Sequence, residues 1–448
     1  MTDRARTWID HAIFWHIYPL GFVGAEPCAI AREEVHHRLD HIVAWLDYAI
    51  QLGASGLLLG PVFASSTHGY DTIDYFRIDP RLGDEADFDR LIAEARQRGL
   101  CVVLDGVFNH VGRDFPAFRA ALATGTGSSE TAWFRRHENP DTPADQAFVT
   151  FEGHPGLIAL NHDNPDVSDH VVRVMNHWLD RGISGWRLDA AYAVPHNFWA
   201  AVVQQVKRRH RHAYIFAEVI HGDYSAFVRE SGVDAVTQYE LWKAIWSSLN
   251  DRNLFELAWA LDRHNRWLES FSPLTFVGNH DVTRIASRLD DERHIPHALV
   301  ILLVVGGTPC IYAGDEQAFR GIKEDRAGGD DAIRPAFPAT AANLASSGWI
   351  NYRLHQDLIG LRRRHSWLVH ARSRMAHLTN RHMVMNMEAD GNSLSVVLNL
   401  DDQDAMLPAP LARGLLAGTA SIGEAGASSA YVTVPAHDWA VLSLSESR

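Results

Sequence analysis

The chain has 448 residues, room for two or three domains or for one large α/β barrel with attachments, and it can bury a full core without disulfide staples. Lysine and arginine number 41 against 55 aspartates and glutamates; the resulting net charge of −14 argues against nucleic acid as the main partner and favours an uncharged ligand. A 46% hydrophobic and 21% charged composition excludes a disordered or fibrous chain, and three cysteines (Cys28, Cys101, Cys310) exclude a disulfide framework. Residues 1–10 lack the pattern of a secretory signal and no apolar run approaches a membrane span, so a cytoplasmic enzyme is expected.

Short apolar runs alternate with amphipathic segments. Strands are expected at 12–18, 56–59, 100–105, 185–189, 214–218, 235–239, 274–279 and 308–312. Helical patterns at 39–52, 84–98, 167–181 and 195–211 lie between them, several opened by Asp, Asn or Pro and closed by Gly53, Gly99 or Gly182. Eight strand and helix units imply a closed (β/α)8 TIM barrel; the competing doubly wound sheet lacks its glycine-rich fingerprint after the first strand.

The third unit breaks this rhythm. Residues 111–164 are irregular, with small residues at 124–129 and turn formers at 139–145, which reads as an inserted subdomain and a wall of the active site. The barrel then comprises 1–110 and 165–370. From about residue 376 strands without intervening helices are expected at 382–387, 393–400, 429–434 and 440–444, so 371–448 forms a C-terminal antiparallel β domain.

In a parallel barrel the reacting groups project from the C-terminal strand ends. Here those ends carry Asp105, Asn109 and His110 after the third strand, Arg187 and Asp189 on the fourth, Glu218 on the fifth, and Asn279, His280 and Asp281 on the seventh. One such carboxylate is as well explained by a helix cap or an ion pair. Carboxylates, an arginine and two histidines gathered at one barrel mouth are what acid-assisted glycosidic cleavage requires: one carboxylate attacks, one acid protonates the leaving oxygen, and fixed charges shape an oxocarbenium-like transition state.

The segments DGVFNH (105–110), GWRLD (185–189), Glu218 with Val219, VGNHD (277–281), GLLLGP (56–61) and HGYDTIDY (68–75) occur in an order that resembles the alpha-amylase superfamily, glycoside hydrolase family 13, over about residues 12–340. The resemblance implies Asp189 as nucleophile, Glu218 as general acid and base, Asp281 as transition-state stabiliser, and Arg187 as the guanidinium that keeps Asp189 ionised. It also implies that His110 and His280 bond the sugar in the cleavage subsite, that Tyr70 forms a stacking floor, that Asp105 is a structural partner near Arg187, and that Asp330 and Arg334 grip neighbouring sugars. From the residues themselves, the arginine beside Asp189 favours its anion, whereas the apolar run before Glu218 favours the neutral acid. A retaining mechanism follows, with the two carboxyl groups roughly 5 to 5.5 Å apart.

The stretch FEGHPGLIALNHDNPDV (151–167) is similar to cyclomaltodextrinases, neopullulanases and maltogenic amylases, which implies α-1,4-linked maltooligosaccharides or cyclodextrins as substrates. Their N-terminal β domain is not expected, since the first barrel strand begins about a dozen residues from the start. No cofactor or metal is expected: Asn109 matches a calcium ligand of calcium-dependent amylases, but Tyr192 and Ala193 replace the lysine and histidine found there. Trp242 and Trp246, at i, i+4, read as a helix packing face. His36, His37, His210 and His212 read as surface residues in polar helices without metal-ligand spacing, and Cys101 and Cys310 as inert buried thiols. Rival readings are an α-glucan transglycosylase or trehalose-forming isomerase using the same carboxylates, and a non-catalytic relative on the same barrel.

Overall fold

The computed structural model describes residues 8–28, 34–124, 128–137, 147–326, 328–409, 411–424 and 430–444. Its largest sheet has eight parallel strands: β1 (Phe14–Ile17), β2 (Gly56–Leu59), β3 (Cys101–Gly106), β4 (Gly185–Leu188), β5 (Tyr214–Ala217), β6 (Ala235–Val236), β7 (Leu274–Thr275) and β8 (Thr308–Tyr312). Each pairs with its sequence neighbour, β8 pairs with β1, and a parallel bridge from Thr237 to Leu274 joins β6 to β7, so the barrel is closed. The tight β4 to β5 approach depends on Gly185, where a Cβ would fall 2.0 Å from the carbonyl oxygen of Tyr214.

Helix boundaries follow local chemistry. Asp84 opens Glu85–Gln97 with a reciprocal capping box, and Asn164 caps Pro165–Asp180 with proline in the first turn. Gly53 closes Leu46–Leu52 at φ 102°, the left-handed conformation that glycine adopts without penalty. The helix expected over 39–52 is two pieces, Leu39–Ala44 and Leu46–Leu52, separated at Trp45. The sixth and seventh strands end earlier than expected: Gln238 already caps the helix Tyr239–Asn250, and residues 276–281 leave the ladder to supply the site.

The inserted segment stands on a two-stranded antiparallel ribbon, His110–Gly112 with Leu157–Ala159, and on the helix Pro116–Thr124. Phe118, Phe134 and Phe148 pack edge to face beneath it. The small-residue stretch at 124–129 lies partly, and the turn-former stretch at 139–145 wholly, outside the described residues.

The C-terminal unit is antiparallel as expected and richer than expected. Arg372–Leu378, His382–Ala389, Asn392–Asn399, Trp439–Leu444 and Ala412–Gly418 form one sheet; Ala405–Pro408, Ala430–Val434 and Ser421–Glu424 form another. The position Ser429, expected to begin a strand, lies outside the described residues. A buried imidazole, His297, fastens this unit to the barrel by bonding the carbonyls of Asn399 and Asp438. No helix of the described residues is long and apolar enough to cross a membrane.

Candidate active site

Arg187, the third residue of β4, points its guanidinium into the barrel mouth and is buried. Its Nη1 lies 2.7 and 2.6 Å from the two oxygens of Asp105 and 3.1 Å from Asp189 Oδ1. Its Nη2 lies 2.8 Å from Glu218 Oε1 and 4.0 Å from Asp281 Oδ2. One cation thus meets a carboxylate from the ends of β3, β4 and β5 and from the segment after β7. Asp105, Asp189 and Glu218 are almost sealed from solvent, whereas the Asp281 side chain keeps 30% of its surface exposed, as a group facing an incoming ligand should.

Three further contacts fix these carboxylates. Ala190, directly after Asp189, is held at φ 45°, strained for a residue with a side chain, and in that conformation its N–H donates to Glu218 Oε2 at 2.9 Å. Tyr239 donates its hydroxyl proton to Glu218 Oε1 at 3.0 Å and accepts from Asn279 Nδ2 at 2.9 Å; Asn279 Oδ1 in turn accepts from the Asp281 N–H at 2.8 Å. Arg334 reaches Asp281 Oδ1 at 2.9 Å, Asp330 Oδ2 at 2.9 Å and the His280 carbonyl at 2.9 Å, with its guanidinium 4.5 Å above the ring of Tyr18.

The aromatic wall is equally ordered. His280 is sandwiched between Tyr18 and Tyr70, whose rings lie nearly parallel to it at 5.9 and 5.5 Å. Tyr70 donates to Asp105 Oδ2 at 3.1 Å, so its oxygen is left to accept from His280 Nε2, which also lies 3.0 Å from Asp281 Oδ2. Burial holds His280 and His16 well below the ordinary histidine range and His110 down to about 3, which favours the neutral ring in all three. His110 stacks on Phe151 of the inserted segment at 4.7 Å, and its buried Nε2 has no hydrogen-bond partner among the described residues.

The electrostatics correct one expectation. Glu218 does not sit in a purely apolar setting, because it touches the same guanidinium as Asp189 and at shorter range. For Asp189, burial is the largest effect and raises its pKa well above the usual carboxylate range; Arg187 opposes the rise, and the charges of Glu218, Asp105 and Asp281 add to it. Burial likewise lifts Asp105 to about 6 despite its two short bonds to Arg187. Several carboxylates share one buried cation, so a proton in the cluster offsets repulsion between them.

A family model for the alpha amylase catalytic domain matches residues 16–345. The chain belongs to the alpha-amylase family. Among the curated proteins of this family, it is 29% identical to a cyclomaltodextrinase of a Bacillus species, over 88% of this chain and 73% of that one. It is 30% identical to the cyclomaltodextrinase of Geobacillus thermopakistaniensis, over 92% and 72%. Among solved structures, the Nostoc punctiforme debranching enzyme superposes with a TM-score of 0.82 at 26% identity, covering 97% of this chain and 98% of that one. The cyclic alpha-maltosyl-(1→6)-maltose hydrolase of Arthrobacter globiformis gives 0.81 at 26%, covering 98% and 100%. This alpha-amylase family member is accordingly a glycoside hydrolase built on the TIM barrel.

All nine residues singled out from the sequence gather around this mouth: Asp189, Glu218, Asp281, Arg187, Tyr70, His110, His280, Asp330 and Arg334. Sequence reasoning missed Tyr239, Tyr18, Phe151 and the Ala190 amide. Tyr18 and Tyr239 were within reach, since they close the first and sixth apolar runs just as Glu218 closes the fifth; Phe151 comes from the inserted segment, whose place no local pattern gives. Trp242 and Trp246 pack against each other at 6.0 Å, Trp242 stacks on Phe276 and Arg288 covers Trp246 at 3.7 Å, a packing face as expected.

Two other readings need correction. His36 and His37 precede a helix rather than lie in one, and His37 does have partners: its Nδ1 lies 2.5 Å from Asp87 Oδ2, with Asp84 beside it, a contact that is remote in sequence. His210 likewise pairs with Asp180 at 3.2 Å. The Cys310 thiol is buried and raised by that burial; Cys101, at the start of β3, is raised for the same reason but only half-buried.

Proposed function

We propose that the chain is a retaining α-glucan hydrolase that cuts α-1,4 glucosidic bonds of short maltooligosaccharides or cyclodextrins. The supporting observation is the joint fixation of Asp189 and Glu218: Asp189 accepts a hydrogen bond from Arg187 Nη1, Glu218 forms an ion pair with Arg187 Nη2, and the residue after Asp189 donates its N–H to Glu218. Asp189 attacks the anomeric carbon while Glu218 delivers its proton to the leaving oxygen, giving a glycosyl ester. Glu218, now the base, takes a proton from water as that water attacks the ester and frees Asp189. Asp281, the most accessible of the four carboxylates around Arg187, binds sugar hydroxyls as the ring flattens, held in place by Arg334 and the Asn279 side chain. Neutral His110, with an unpartnered Nε2, offers a hydrogen bond to a hydroxyl; Tyr70 and His280 form the floor, and Asp330 with Arg334 lines the next position.

The reaction as proposed needs no calcium. At the matching place Asn109 Nδ2 lies 3.1 Å from His110 Nδ1, the Asn109 carbonyl accepts from the Leu160 N–H at 3.0 Å, and Tyr192 donates to Glu152 at 2.8 Å. These groups close the inserted segment against the barrel with ordinary hydrogen bonds. Activity that survives a chelator supports this reading, and activity lost to chelator and restored by calcium overturns it. A cytoplasmic location is part of the same proposal, in line with the Bacillus subtilis relative named an intracellular maltogenic amylase, 30% identical over 71% of this chain.

A second reading concerns linkage. The two structures matched over nearly their whole length carry names that refer to debranching and to an α-1,6-linked maltose ring. Product analysis on maltotriose, isomaltose, pullulan and β-cyclodextrin separates the readings: release of glucose and maltose from maltotriose and the cyclodextrin supports α-1,4 hydrolysis, exclusive cleavage at α-1,6 bonds replaces it, and longer oligosaccharides or trehalose as the main product would establish glycosyl transfer instead. In each case Glu218→Gln should nearly abolish turnover of unactivated substrates; unchanged activity refutes its role as the acid.

A further inference from the structure

At the seam between the barrel and the C-terminal β domain, Asp291, His294 and His437 bring a carboxylate oxygen and two imidazole nitrogens within 4.8 Å of one another. Asp291 caps the short turn Glu292–His294, which belongs to the barrel, and His437 lies in the turn before the last strand of the C-terminal domain. His294 Nε2 is 3.1 Å from His437 Nδ1, and Asp291 Oδ2 is 3.9 Å from that same Nδ1. Both histidines are buried.

We propose that these three residues form a site for a divalent transition-metal ion, best suited to Zn2+, that clamps the two domains together. Two imidazoles and one carboxylate match zinc, cobalt or nickel rather than calcium or magnesium, which take mainly oxygen ligands. Two nitrogens each about 2.0 to 2.1 Å from a tetrahedral ion stand about 3.3 Å apart, close to the separation of His294 Nε2 and His437 Nδ1. The far nitrogen of His437, Nε2, is 2.7 Å from Asp402 Oδ1, the carboxylate to histidine contact that orients a ligating imidazole and raises its basicity. A cleft of about 400 Å³ lined by Asn250, Arg252, Asp290 and Glu292 reaches Asp291 and His294, giving an ion a way in and water a fourth position.

The charges around the site set its competition. Arg293 lies 2.7 Å from Asp291 Oδ2 and Arg252 3.8 Å from it, and Arg252 also reaches Asp402 at 3.0 Å. Asp291 must therefore share Oδ2 between a guanidinium and the ion, which weakens binding, while Asp402 offsets part of the added charge. The cluster His37, Asp84 and Asp87 is a poorer prospect: Asp84 Oδ1 is spent on the N–H groups of its helix, Asp87 binds Arg90, and His37 is exposed. It serves as the internal control.

The test uses full-length protein without a histidine tag, stripped with chelator and dialysed. Zn2+ is titrated calorimetrically, and Co2+ is followed by its visible absorption. The expected result is one equivalent of Zn2+, a Co2+ spectrum of tetrahedral intensity, and a higher melting temperature of the loaded protein. The equivalent should be lost in His437→Ala and in His294→Gln, weakened at least tenfold in Asp402→Asn, and kept in His37→Ala. Circular dichroism and melting of the metal-free variants check folding, and should a histidine variant not fold, Asp291→Asn provides the same reading. No stoichiometric binding, or an equivalent that persists in both histidine variants, overturns the site and leaves His294 and His437 as a hydrogen-bonded pair.

Discussion

Tyr239 and Glu218 meet through a 3.0 Å hydrogen bond in which the phenol donates to the carboxyl group proposed as the acid. Tyr239 is buried, and the Asn279 amide supplies its oxygen with a donor, so the phenol has one direction left in which to give its proton. That relay ties the acid to the segment carrying Asp281 and lets one strand end position two carboxylates.

Tyr239→Phe keeps the ring and removes the donor. A hydrogen bond to a charged group contributes about 1.5 to 3 kcal/mol, so kcat should fall roughly 10- to 100-fold. KM should change little, because Tyr239 acts on Glu218 and is no part of the proposed sugar contacts. A variant with wild-type kcat, or one whose loss lies wholly in KM, would show that the bond does not position the acid.

Arg187 is the shared partner of buried carboxylates, and its two kinds of replacement separate charge from geometry. Arg187→Ala leaves Asp105, Asp189 and Glu218 buried without their cation, and breaking such a network should cost about 3 to 5 kcal/mol of stability. Arg187→Lys keeps a charge but replaces a planar fork by a point donor that cannot serve three carboxylates at once. Urea denaturation should show a smaller loss for the lysine variant, while turnover on maltooligosaccharides falls at least a hundredfold in both. Near-native activity in Arg187→Lys would mean that charge alone organises the site.

Burial raises Asp189, and the proposed nucleophile must be ionised to attack, so the acid limb of kcat/KM should be displaced upward from the ordinary carboxylate range. Asp105→Asn removes a neighbouring negative charge that contributes to that rise, and should move the limb back toward lower pH in whatever activity remains. The pH profiles of the two proteins on one soluble maltooligosaccharide check this. An acid limb already in the ordinary carboxylate range in the parent enzyme would count against the charge arrangement described above.

The eight strands and their polar ends were legible in the sequence because a barrel strand is nearly all apolar until it leaves the sheet, so Asp105, Asp189 and Glu218 stand out against Leu104, Leu188 and Ala217. The short sixth and seventh strands were over-extended because Tyr239, Phe276 and Val277 remain apolar after the ladder ends. What stayed hidden depends on contacts between remote segments: the guanidinium shared by four carboxylates, the proximity of Glu218 to the Ala190 amide, and the pairing of His37 with Asp87. Local spacing cannot report whether a carboxylate is buried with company, and so the contrast expected between Asp189 and Glu218 did not survive.

The abundance of histidine, 26 in the chain, acquires a physical consequence in the core. His264, His297 and His355 are fully buried, and each bonds a backbone carbonyl: Gly306 at 2.9 Å, Asn399 and Asp438 at 3.2 and 3.1 Å, and Asn351 at 2.9 Å. Burial lowers them to about 4, 3 and 4 in the folded state, from 6.5 in the unfolded chain. Between pH 6.5 and about 4 the unfolded chain binds protons that the folded one refuses. The stability these groups provide is therefore complete above pH 6.5 and lost as the pH falls toward 4. At pH 5 the loss is on the order of 2 kcal/mol for each, taking 1.36 kcal/mol per pH unit as an upper bound. Four buried carboxylates work in the opposite sense: Asp105 and Asp315, raised to about 6, Glu316, raised to about 7, and Asp189 favour the folded state at low pH and lose that contribution as the pH rises, but burial also lowers His16, His110, His170, His280 and His294, so the histidines outnumber them. The midpoint of urea unfolding should accordingly fall steeply from pH 7 to pH 5. His297→Gln, which retains a donor for the Asn399 carbonyl but cannot titrate, should be less stable at pH 7 and show a shallower fall. Equal pH slopes in the parent and His297→Gln would mean that His297 does not carry its share of the acid sensitivity.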